Sequence, residues 1–174
     1  MPATYEPLAT TTLSTATASV TFSSISGSYT DLIIAGQIKG SQNSYANLQV
    51  GNGSIDTGNN YSVTTLTSRY NAGNTEPGTE RYSSASAIYI TGSTWYSSVN
   101  FGTFKINLQN YSNTNTYKTV ITAMDSFENA NYCGVNRNVG LWRSTNAINI
   151  LTISAGVGNL ASGSTFTLYG IKAA

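Results

Sequence analysis

The chain has 174 residues, 40% of them hydrophobic and 11% aromatic, enough for one domain that buries on the order of 70% of its unfolded surface. It has no His, one Cys, only 9% charged residues and a formal net charge of +1, while Ser, Thr and Asn make up roughly two-fifths of it. Most proton shuttles, nucleophile–base pairs and thiolate metal sites are thereby excluded, and eight Lys and Arg scattered singly from Lys39 to Lys172 form no phosphate-tracking stripe.

Residues 1–14 read as an N-terminal arm ahead of a single domain over 15–174. The arm carries Pro2 and Pro7, which disfavour sheet pairing, and displays Tyr5 and Leu8 without neighbours enough for a core. Tyr5, Pro7 and Leu8 are therefore candidates for contact with a partner or a second copy. The alternative is that Tyr5 and Leu8 staple the arm to the domain's own edge.

Period-two alternation dominates the rest. Val20 and Phe22 mark a half-buried strand near 17–25, and Leu32, Ile34, Gly36 and Ile38 continue on one face of the next. Ala46, Leu48 and Val50 form a third, ended by the turn signal Gly51-Asn52-Gly53. The stretch 51–82 is irregular, with loop clusters at Gly58-Asn59-Asn60 and Asn71-Ala72-Gly73-Asn74, and Tyr61, Val63 and Leu66 pin a short piece inside it. Ser86, Ile88 and Ile90 alternate over 84–91. Between 98 and 109 the apolar parity switches from Val99 and Phe101 to Phe104, Ile106 and Leu108, which predicts a β-bulge at Gly102-Thr103. Further strands are predicted at 117–126, 135–143, 147–155 and 165–171. About nine strands, no helical spacing and Gly/Asn-rich turns predict an all-β fold: an antiparallel β-sandwich of jelly-roll or similar Greek-key topology.

Several residue groups imitate chemistry. Asp56-Thr57-Gly58 spells the aspartic-protease triplet, but that chemistry needs two carboxylates sharing a proton in an apolar setting, and this triplet sits in a polar turn. The other acids, Glu6, Asp31, Glu76, Glu80, Asp125 and Glu128, are scattered apart from the pairs 76/80 and 125/128, as solvated surface is. Cys133 has no histidine to activate it and reads as a small filler. Asn52, Asn60 and Asn110 match the glycosylation pattern at the rate that so much Asn and Ser produces by chance. No catalytic residue, metal site or cofactor is expected. Tyr82, Trp95 and Tyr96 lie in turn-like stretches, where aromatics stack on sugars or pack across a sandwich edge or subunit contact; packing or contact is the expected role.

No apolar run approaches the ~20 residues of a membrane span, and the opening residues lack the basic and apolar regions of a secretory signal. Synthesis in a cytoplasm is expected, with neither nucleic acid nor membrane as a partner.

Three stretches carry a resemblance. The first is Tyr5-Glu6-Pro7-Leu8-Ala9-Thr10-Thr11-Thr12-Leu13, followed by Ala18–Ile25 and Tyr29-Thr30-Asp31-Leu32. The second is Asn59-Asn60-Tyr61-Ser62, with Asn110-Tyr111 and Lys118-Thr119. The third is Gly140-Leu141-Trp142-Arg143-Ser144-Thr145, Ala147-Ile148 and Gly163–Ile171, closing on Phe166-Thr167-Leu168-Tyr169-Gly170-Ile171. Together they resemble small virion structural proteins of tailed bacteriophages, which occur alone or as the terminal domain of tail-fibre chains. Residues 63–100 depart most from that pattern.

The resemblance implies a structural protein of the virion. One form is a capsid decoration, or cement, protein that binds the major capsid protein on the outside of the shell as a homo-oligomer, with a trimer expected. The alternative is a tail-fibre or receptor-binding module that recognises a host surface glycan. The chain opens almost directly on its first strand, without a shaft repeat, and this favours decoration.

Overall fold

A computed structural model of the chain describes residues 4–91, 98–129 and 132–172. Among them are thirteen strands and no helix. In chain order they are β1 Tyr5–Thr12, β2 Ser19–Phe22, β3 Asp31–Ile38, β4 Ala46–Asn52, β5 Ser54–Ile55, β6 Tyr61–Asn71 and β7 Asn74–Ala85. They continue with β8 Ile88–Tyr89, β9 Gly102–Gln109, β10 Lys118–Asn129, β11 Tyr132–Trp142, β12 Ile150–Ala155 and β13 Thr165–Ile171.

All pairings are antiparallel. One sheet runs β1-β13-β3-β9-β10-β11-β6-β7, and the other runs β2-β12-β4-β5, with β8 also paired to β4. Within this arrangement β1-β13-β3-β9 lie opposite β2-β12-β4-β8. Numbered along the chain, those eight strands pair 1-8-3-6 and 2-7-4-5, the order of two interlocked Greek keys, so the sandwich is a jelly roll. Two insertions enlarge it. β5–β7 come between the fourth and fifth of these strands and β10–β11 between the sixth and seventh, and β10-β11-β6-β7 extend the larger sheet.

The core follows from the alternation. Ile34, Ile106, Leu108, Phe166 and Leu168 from the large sheet meet Val20, Phe22, Leu48, Val50, Leu151 and Ile153 from the small one in a single cluster. Each buried aliphatic or aromatic side chain stabilises the sandwich by about 1.5–3 kcal/mol relative to exposure. Gly140 of β11 faces Ile88 of β8 so closely that a Cβ would lie 2.5 Å from Ile88 Cγ2, so glycine there sets the local separation of the sheets.

Three expectations from the sequence need correction. Residues 5–12 are not a free arm: they form β1, an edge strand paired with β13 from Tyr5↔Ile171 to Thr12↔Thr165. Pro7 is accommodated because it stands on an edge, beside a register shift between Pro7 and Ala9. No bulge occurs at Gly102-Thr103. The register of β9 with both β3 and β10 is unbroken from there, and the parity change arises because the strand begins at Gly102, after Phe101. The irregular stretch 51–82 holds the long hairpin β6–β7, whose Ser/Thr-rich strands lack an apolar face to announce them.

Both edges of the large sheet are guarded against strand addition, β1 by Pro7 and β7 by Pro77 with Glu76, Glu80 and Arg81.

Candidate interaction surface

The two inserted hairpins spring from one base. Lys118, Trp142, Tyr61 and Ala85 occupy a single row across β10, β11, β6 and β7. Around it the carboxylate of Asp56 accepts hydrogen bonds from Trp142 Nε1 at 2.8 Å, the Gly58 N–H at 2.9 Å and Asn60 Nδ2 at 3.0 Å. Tyr61 Oη donates to the Asp56 carbonyl at 2.7 Å and accepts from the Val50 N–H at 3.1 Å. Arg143 donates through Nη1 to Tyr61 O, Ser62 Oγ and Ser83 O and through Nη2 to Asn59 O. The buried Lys118 ammonium donates to the carbonyls of Thr116 at 2.7 Å and Thr145 at 3.2 Å.

This knot gathers Asn59–Ser62 and Gly140–Thr145, two of the stretches that carry the resemblance. Their structural role is to fix the extension to the jelly roll. Burial alone would raise the Asp56 carboxyl, but the bonds from Trp142, Gly58 and Asn60 outweigh it and hold it below the ordinary aspartate value. Burial pushes the Tyr61 phenol up and the Lys118 ammonium down.

The extension presents an inverted surface. In β11 the asparagines Asn136 and Asn138 are buried, with Asn138 Nδ2 donating to Thr122 Oγ1 at 2.7 Å and Ile90 O at 3.0 Å. Val135 and Val139, of opposite parity, point outward. Val139 is paired with Ile121, and Leu66 stands on the neighbouring row, opposite Arg137. Ile121, Val139 and Leu66 are 42%, 53% and 58% exposed, an apolar patch on the outer face of a sheet in which Leu66 stands diagonal to Val139. Arg81, which bonds Thr64 Oγ1 at 3.1 Å, and the Arg137–Asp125 ion pair at 3.3 Å border it.

The residues singled out from sequence do not converge. Tyr5, Pro7 and Leu8 lie on β1, at the opposite edge of the sheet from Tyr82 on β7. Leu8 packs on the core, as the stapling alternative expects, whereas Tyr5 stays exposed. Tyr82 packs edge-on against Tyr89 at 5.2 Å between ring centroids, and Tyr89 packs against Tyr45 at 5.9 Å. This ladder crosses the sandwich edge. Trp95 and Tyr96 fall outside the described residues. Sequence reasoning missed Ile121, Val139 and Leu66 as a group, because alternation alone would have buried the valines of β11 and exposed its asparagines.

The described residues contain no cluster of three His, Cys, Asp or Glu able to hold a metal ion. Asp56 is committed to the knot, and Cys133 is half-buried near the tip of the β10–β11 hairpin. Comparisons with protein-family models, with curated proteins and with solved structures find no match for this chain.

Proposed function

We propose that the protein is a virion structural protein of a tailed bacteriophage, a decoration protein that binds the outside of the major capsid shell and reinforces it. The observation that carries this reading is the inverted outer face of the extension. A sheet that buries Asn136 and Asn138 while exposing Ile121, Val139 and Leu66 forgoes stability as a monomer and regains it against a partner. A jelly roll with proline-guarded edges suits that role, because it makes contact through a face and does not polymerise through its strands. The resemblance in the β1, knot and β13 stretches supplies the virion setting, and the fold adds an analogy, since jelly rolls recur in viral capsids.

In this reading the protein acts by contact alone, without catalysis, cofactor, nucleic acid or membrane. It works as a homo-oligomer, a trimer at the three-fold positions of the shell, and resides in the virion. Co-sedimentation with purified shells and, separately, with host cells tests the reading. Saturable binding to shells, weakened by Val139→Asp, is expected. Binding to cells and not to shells would assign the protein to a fibre tip instead.

A further inference from the structure

Beyond the Ile121–Val139–Leu66 patch, toward the hairpin tips, the outer face holds an open groove of about 590 Å³. Its floor is one paired row across four strands: Ser68, Val135, Asp125 and Thr103. Tyr70 of β6 and Phe101, just before β9, line its two sides, with β11 and β10 between their places in the sheet. Both rings are partly open to solvent, 39% and 38% exposed. Phe101 is held in place by the Lys39 ammonium 4.9 Å from its ring centre and by Gly163, where a Cβ would lie 2.9 Å from the ring.

We propose that this groove binds a neutral oligosaccharide, with sugar faces stacked on Tyr70 and Phe101 and sugar hydroxyls bonded to Ser68, Thr103 and Asp125. The charged groups that line it are already paired, Arg69 with Glu76 and Asp125 with Arg137, and the Lys39 ammonium beside it lies over the Phe101 ring, so no cluster of like charge faces an ionic ligand. The backbone beneath it is committed to sheet pairing, which leaves no main-chain edge for an extended peptide. Two aromatic rings and Val135, interspersed with the hydroxyls of Ser68 and Thr103 and the carboxylate of Asp125, match the alternation of apolar C–H faces and hydroxyls along a sugar chain. A floor that spans four strands fits a short chain better than one sugar ring. The site is distinct from the Tyr82 ladder, and the inference stands whether the protein sits on a shell or on a fibre.

An array of neutral oligosaccharides of glucose, galactose, mannose and N-acetylglucosamine, followed by titration of the hits, tests this. At least one is expected to bind, about tenfold more weakly after Tyr70→Ala or Phe101→Ala. Tyr70→Phe, which keeps the ring, should retain binding, as should Tyr82→Ala. Affinity should hold between about 50 and about 500 mM salt, as it does for an uncharged ligand. No binding across the array, binding that survives removal of both rings, or binding that collapses with salt would overturn the proposal.

Discussion

Trp142 Nε1 donates to Asp56 Oδ2 at 2.8 Å across 86 positions of sequence, and this bond ties the β10–β11 insertion to the turn that precedes the β6–β7 insertion. The two insertions are already paired through the backbones of β11 and β6, from Tyr132↔Asn71 to Trp142↔Tyr61, and this bond adds a side-chain tie at their base. Trp142→Phe keeps most of the packing and deletes the bond. It should cost about 1.5 kcal/mol, or roughly 3–6 °C in melting temperature for a chain of this length. A double-mutant cycle with Asp56→Asn should show coupling between the two sites. Additive effects in urea unfolding would mean the bond contributes nothing of its own.

The same carboxylate governs acid stability. Its folded value lies below that of an ordinary aspartate, near 3.8, so its contribution is present above that value and is lost as pH falls through the lower folded one. The stability difference between the wild type and Asp56→Asn should stay flat from about pH 8 to about pH 5 and shrink below about pH 4. Because the chain has no histidine, the near-neutral range should be featureless. Urea midpoints at a series of pH values check both statements.

Gly140 and Ile88 test the packing between the sheets. Gly140→Ala drives a Cβ to 2.5–2.8 Å from three atoms of Ile88, an overpacking worth about 1–3 kcal/mol. Shortening the opposing side chain should relieve it, so Gly140→Ala with Ile88→Ala should be less destabilised than the sum of the two single changes. Strict additivity would show that the backbone yields instead.

Deleting residues 2–12 removes β1, uncovers the edge of β13 and strips Leu8 from the core. The variant should melt at a lower temperature and self-associate as concentration rises, because a new unguarded edge is exposed. A deletion variant as stable as the full chain would mean that β1 is only loosely attached. Light scattering and thermal denaturation together decide this.

The jelly-roll core was legible because its strands keep one apolar parity: Val20 and Phe22, Leu48 and Val50, Phe104, Ile106 and Leu108, Phe166 and Leu168. The extension was not, for two physical reasons. β6 and β7 mix Ser and Thr with charged and turn-forming residues and keep no sustained hydrophobic period, and β11 reverses the usual rule by burying Asn136 and Asn138 and exposing Val135 and Val139. The roles of Asp56 and Arg143 were invisible for another reason. Each meets residues distant in sequence, and the Asp56 triplet pointed to a chemistry that its partners Trp142, Gly58 and Asn60 do not support. At the N-terminus, Pro7 argued for an arm because sheet interiors exclude proline, whereas edges beside a register shift admit it.

Cryo-electron microscopy of the virion tests the central claim most directly. Copies of this jelly roll are expected over the outer surface of the capsid, grouped about three-fold positions, with the Ile121–Val139–Leu66 patch buried in a contact. Density confined to a tail or fibre, or capsid copies whose apolar patch faces solvent, would contradict the decoration reading.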